Sequence, residues 1–113
     1  MSFKVASVQE YFDRLSERFV PAGSKGVKAV YQFELSGDQG GTYHVVVEDG
    51  AMQPPLKEAH ASPTTTLKMT GPDFVRMTNG ELNGQMAFMS GKLKIAGSVP
   101  MAMKMKEIFP QVG

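Results

Sequence analysis

The chain has 113 residues, 42% apolar and 20% charged, with 12 Lys and Arg against 11 Asp and Glu. That length suits one domain, 1–113, and the near-neutral, ordinarily apolar composition argues against a disordered tail and against nucleic acid as a partner. With no cysteine there are no disulfides, thiolate nucleophiles or thiolate metal sites, and His44 and His60 are the two imidazoles.

From residue 7 to 19, Val8, Tyr11, Phe12, Leu15 and Phe19 recur at helical spacing, with Ser7 and Glu10 as a capping box and Pro21 with Gly23 as the stop. Glu10, Asp13, Arg14, Glu17 and Arg18 fall on the opposite face, expected to be solvated. The period then changes to two. Val27, Ala29, Tyr31, Phe33 and Leu35 alternate with polar residues in a first strand, and after the turn at 36–41 Tyr43, Val45 and Val47 do so in a second. Asp49-Gly50 is a hairpin turn into a short edge strand at 51–53, which Pro54-Pro55 ends. Residues 56–63 lack periodicity and read as a crossover. Strand alternation returns at 64–70, with Leu67 and Met69 inward.

Gly71-Pro72-Asp73 opens a short helix that Asn79-Gly80 closes. Asn83 caps a second one through Met89, placing Leu82, Met86 and Met89 on one stripe. A fifth strand spans 92–96. Ser98 caps a last helix carrying Met101, Ala102, Met105, Ile108 and Phe109, stopped by Pro110. Lys28, Gln32, Glu34, His44, Glu48, Thr66, Lys68, Lys92 and Lys94 are the outward set, so one sheet face is expected to be wet. The fold class is therefore α+β: two layers, a five-stranded sheet with helices mainly on one face, in the order α-β-β-β-crossover-β-α-α-β-α. Val30 and Val46, also outward, read as scattered surface residues.

Composition supplies one clue to function, nine methionines and no tryptophan. Six of the nine, Met77, Met86, Met89, Met101, Met103 and Met105, fall after the fourth strand, among Phe74, Leu82, Phe88, Leu93, Ile95 and Phe109. Methionine is soft and polarisable, and it suits either a filled core or an apolar site of variable shape. His44 on the strand and His60 in the loop read as surface residues. No GxSxG, HExxH or phosphate-loop pattern is present, so an enzyme and a cofactor are not expected.

The run Met-Thr-Asn-Gly-Glu-Leu-Asn-Gly-Gln-Met-Ala-Phe-Met-Ser-Gly-Lys-Leu-Lys-Ile-Ala-Gly at 77–97, with Met-Ala-Met-Lys at 101–104 and Phe109, resembles the C-terminal half of the sterol carrier protein family. The segment 91–97 is its most specific part, and the order of elements is similar over essentially the whole chain. The resemblance implies a stand-alone, bacterial-type member in which sheet and helices enclose an apolar tunnel that binds sterols, fatty acids and fatty acyl-CoA, without catalysis. Phe33, Val45, Phe74, Met77, Leu82, Met86, Met89, Ile95, Met101, Met105 and Phe109 are then the expected lipid-contacting set, with no metal. Two departures stand out. Ser98 takes the place of an acidic residue found in many members, and the chain ends Gln-Val-Gly where peroxisomal members end Ser-Lys-Leu, so no peroxisomal address is expected.

Burying about 15 methylenes at roughly 0.8 kcal/mol each yields on the order of 12 kcal/mol, against roughly 4–15 kcal/mol for association and ordering, which places affinity between micromolar and nanomolar. An empty void of about 400 Å³ would cost on the order of 10 kcal/mol, so the ligand-free tunnel is expected to be collapsed or occupied. The rival reading is an accessory or oligomerising domain whose pocket is filled by its own methionines. Lys92, Lys94, Lys104 and Lys106 against Glu107 make the C-terminal end basic, which suits transient docking on anionic membranes. No apolar run reaches the roughly 20 residues of a membrane span, and no signal peptide is evident, so a cytoplasmic monomer or weak dimer is expected.

Overall fold

In the computed structural model, which describes residues 3–112 and so leaves Met1, Ser2 and Gly113 of the expected domain outside the described residues, Ser7 caps the first helix. Its hydroxyl accepts from the Glu10 N–H at 3.0 Å, and the Glu10 carboxylate reaches back to the Ala6 N–H at 2.7 Å, one residue beyond the usual capping box. That bond and the Arg14 guanidinium hold the Glu10 carboxyl below its ordinary pKa. The expected single helix is two: α1, Val8–Asp13, and α2, Leu15–Arg18, separated by Arg14 at φ −111°. Val8, Tyr11, Phe12 and Leu15 are buried as their spacing predicts. The break rotates α2, and Arg18, expected on the wet face, is buried, with 1% of its surface exposed.

Four strands lie where their alternation places them, and the fifth begins at Lys94, two residues later than expected, because Lys92 and Leu93 belong to the turn before it. The strands are β1 (Lys28–Ser36), β2 (Gly41–Glu48), β3 (Ala51–Met52), β4 (Thr65–Thr70) and β5 (Lys94–Gly97), in the sheet order β3-β2-β1-β4-β5. β1 pairs antiparallel with β2 and parallel with β4, which the 56–64 crossover makes possible. Asp49 and Gly50 both have positive φ, 39° and 86°, the geometry of the tight hairpin turn that favours glycine in the second place. Asp49 also accepts from the Gly26 N–H at 2.9 Å.

The inward residues of β1, β2 and β4 meet the helices. Phe12 stacks on Tyr43 with ring centres 4.1 Å apart, and Phe12 and Phe74 each meet Phe33, at 5.2 and 5.6 Å. The remaining helices are α3 (Gly71–Thr78), α4 (Gly84–Met89), α5 (Val99–Met103) and α6 (Met105–Ile108), the last two being the expected C-terminal helix broken at Lys104.

The outer sheet face departs from expectation at its centre. Gln32, His44 and Thr66 are buried, and the crossover folds over the first two. The Gln32 amide oxygen accepts from the His60 N–H at 2.7 Å, and His44 Nδ1–H donates to the Glu58 carbonyl at 2.7 Å. The two imidazoles meet edge to face at 5.1 Å, so His44 is a packed, hydrogen-bonded residue and not the surface group its strand position suggests.

Candidate functional site

The elements that follow β4 enclose a cavity against the inner sheet face. Three of the helices are held by side-chain caps. The Thr70 hydroxyl accepts from Asp73 N–H at 3.3 Å for α3, the Asn83 amide oxygen from Met86 N–H at 3.0 Å for α4, and the Ser98 hydroxyl from Met101 N–H at 3.2 Å for α5. These short helices leave between them a cavity of about 60 Å³. Its wall is formed by Tyr11, Leu67, Phe74, Met77, Leu93, Ile95, Ala102, Met105 and Phe109, with Thr78 and Gly84. It reaches the surface at a rim of Gln85, Phe88, Met103, Lys106 and Gln111, where polar groups concentrate.

Of the residues singled out in the sequence, Phe74, Met77, Ile95, Met105 and Phe109 lie together on this wall. Phe33 and Val45 are wholly buried in the core and do not reach it. Leu82 is half-buried, packed against the core and not on the wall. Met101 is half-buried on a shallow outer groove with Ser98, Pro100 and Glu107, and its carbonyl accepts from the Tyr31 hydroxyl at 2.9 Å. Met86 and Met89 are exposed by 67% and 77% and point away from the cavity. The reason lies in the phase of α4. Gly84, Ala87 and Phe88, at i, i+3 and i+4, form the inward face, and the Met86–Met89 spacing lies on the other side. Gly84 faces the Met77 side chain, and a Cβ there would make ordinary contact with its sulfur at 3.4 Å.

Tyr11, Thr78, Gly84, Gln85, Lys106 and Gln111 carried no signal as cavity residues in the sequence. Behind the Thr78 wall sits Arg18. It donates to the Thr78 carbonyl at 3.1 Å, the Thr78 hydroxyl at 2.5 Å, the Pro110 carbonyl at 3.2 Å and the Phe3 carbonyl. Burial lowers its pKa from the ordinary value, yet a guanidinium stays charged at physiological pH. Asn79 adds a second tie, exchanging two hydrogen bonds with the backbone of Val5 at 2.8 and 2.9 Å. Burial also pushes the Tyr11 phenol up to about 12.

The arrangement offers hydrocarbon, thioether and aromatic surface with a polar rim. No three His, Asp or Glu residues converge among the described residues, and the two imidazoles lie on the opposite sheet face. No helix is long and apolar enough to cross a membrane among the described residues.

Residues 10–110 match the model of the SCP-2 sterol transfer family. The chain is 38% identical over 110 residues to hydroxysteroid dehydrogenase-like protein 2 of Bos taurus, covering 94% of this chain and 25% of that protein, so it spans about a quarter of the length of that relative. Among solved structures, the palmitated SCP2L2 of Aedes aegypti superposes with a TM-score of 0.73 at 22% identity, over 95% of this chain and 97% of that one. The stereoselective inverting sec-alkylsulfatase Pisa1 of Pseudomonas sp. contains the same fold, with a TM-score of 0.76 at 16% identity over 91% of this chain and 16% of that chain.

Proposed function

The chain belongs to the SCP-2 sterol transfer family, and from that premise we propose that it binds and carries single-chain or sterol-like lipids, fatty acids and fatty acyl-CoA among them, by burying their apolar parts in the cavity behind α4, without covalent chemistry. The observation that carries this reading is the segregation of the wall: apolar side chains deep inside, and amides with one ammonium at the rim. An amphiphile fits that gradient with its tail inward. The palmitate of the Aedes aegypti neighbour, which shares the fold, supports the same class of ligand.

The present volume is too small for such a ligand. About 60 Å³ falls below the roughly 150 Å³ of an apolar cavity that takes up benzene. Binding therefore requires the wall to move, and α4, α5 and α6, of six, five and four residues, are the segments suited to it. A closed free state also avoids the cost of a large void: at about 24 cal/mol per Å³, the remaining cavity costs about 1.4 kcal/mol.

The small volume also supports a second reading, an accessory domain whose pocket its own methionines fill. One experiment separates the two. A fluorescent fatty acid is titrated into delipidated protein, and thermal unfolding is followed with saturating palmitate or cholesterol. Uptake, with a Tm raised by several degrees, is the expected outcome. Neither uptake nor a Tm change would leave the accessory reading in its place.

A further inference from the structure

Six large apolar side chains are strongly exposed among the described residues, and five of them, Met86, Phe88, Met89, Val99 and Met103, belong to one segment. The same segment, residues 82–106, contains Lys92, Lys94, Lys104 and Lys106 and no acidic residue. Lys104 is paired with Glu107 at 3.5 Å, whereas Lys92, Lys94 and Lys106 make no ion pair among the described residues. An apolar patch set among free cations, on a chain of net charge +1, is complementary to a surface that is greasy inside and anionic outside.

The patch is continuous with the cavity. Phe88 and Met103, each 42% exposed, are at once surface residues and members of the rim, and Lys106 stands beside them. Met86 and Met89 extend the patch along the outer side of α4, and Lys92 follows in the turn after it. Lys94 pairs across the sheet with Lys68 and so lies on the other face, adding only to the general field. The N-terminal helices are not comparable: their apolar stripe is buried, and Arg14 is shared between Glu10 and Glu17.

We propose that this face docks on an anionic bilayer, with Met86 and Met89 entering the headgroup boundary and Lys92 and Lys106 held by lipid phosphates, so that an acyl chain passes between bilayer and cavity past Phe88 and Met103. The inference rests on the lipid-carrying reading for its purpose, but its test does not depend on that reading. Two weak signals, a few apolar side chains and a few cations, favour reversible docking over stable anchoring.

The test is co-sedimentation with phosphatidylcholine vesicles, with and without about a third of phosphatidylglycerol. The protein should partition onto the anionic vesicles only, and less so at high salt. A double variant, Met86→Ser with Met89→Ser, should lose about tenfold in partitioning while its affinity for a fluorescent fatty acid in vesicle-free solution stays within about twofold, because both residues lie off the cavity wall. Lys92→Gln should weaken partitioning and flatten its salt dependence. Equal binding to neutral vesicles, or unchanged partitioning of the double variant, would overturn the proposal. So would a wild-type dimer in sedimentation velocity that the double variant dissolves, since the face would then be covered by a second copy. Vesicle binding without fatty-acid uptake would sink the carrier reading and leave the docking face standing.

Discussion

Arg18 clamps Thr78 through both of that residue's oxygens, the hydroxyl at 2.5 Å and the carbonyl at 3.1 Å. The same guanidinium takes the carbonyls of Phe3 and Pro110. One buried cation therefore joins the segment before α1, the end of α3 and the segment after α6, using neutral acceptors alone among the described residues. Its charge is spread over three backbone dipoles and a hydroxyl, and the Phe3 and Tyr11 rings lie 5.4 and 5.1 Å from its centre. Thr78 is also a wall residue, so the clamp sets one side of the cavity.

Arg18→Met keeps the aliphatic stem but strands these oxygens in the interior. We expect a loss of about 3 kcal/mol, because hydrogen bonds from a charged donor contribute roughly 1.5–3 kcal/mol each and buried acceptors are left unpaired. Arg18→Lys, with one point donor, should fall between. Urea unfolding with unchanged m-value reads it. A loss below about 1 kcal/mol would mean that water replaces the clamp freely.

Tyr11 and Tyr31 are buried, and burial pushes both phenols up to about 12 from 10. Since the folded state holds the proton more tightly than the unfolded chain, this stability is fully present below pH 10 and drains away as pH rises from 10 through 12. At about 1.4 kcal/mol per pH unit, each phenol should remove about 2 kcal/mol by pH 12. Tyr31→Phe should flatten its share of that alkaline limb while losing the hydrogen bond to the Met101 carbonyl at neutral pH. An alkaline limb of the same steepness in the variant would contradict the assignment.

Ala102→Leu pushes extra carbon into the cavity from α5. Filling the void should leave stability unchanged or raise it by up to about 1.4 kcal/mol, while fatty-acid affinity drops at least about tenfold, since the tail must displace the new side chain. Stability and binding thus move in opposite senses, read by urea unfolding and fluorescence titration. Undiminished affinity would place the ligand elsewhere.

Gly23 lies against α6 so closely that a Cβ would stand 2.1 Å from the Glu107 carbonyl oxygen. Val20 N–H, three residues earlier, donates to the Ile108 carbonyl at 2.9 Å and fixes the approach. Gly23→Ala must push the two backbones apart, which should cost about 2 kcal/mol and lower Tm by about 10 °C. An unchanged Tm would show that the two segments separate without penalty.

Where a pattern depended on a single regular element, the sequence was legible. Alternation in β1, β2 and β4 placed every inward residue correctly, from Val27 to Met69, because a strand's period is independent of what covers it. The helix caps at Ser7, Asn83 and Ser98 were equally legible. Legibility failed where a neighbour decided the outcome. Gln32 and His44 are polar outward residues buried by an aperiodic crossover. Arg18 followed the wet face of a helix that breaks at Arg14. In α4, two stripes were available within six residues, and methionine drew attention to the wrong one; Gly84-Ala87-Phe88 was the inward set, chosen by the close fit to Met77 and Leu93.

β1 is held on one edge by β2, its neighbour across a hairpin, and on the other by β4, which enters only after the 56–64 crossover. During synthesis the first pairing closes a short loop and the second must wait, so for that interval the Tyr31–Ser36 edge stands open with apolar side chains beside it. An unpaired edge of that kind is where a nascent chain is prone to stick to another.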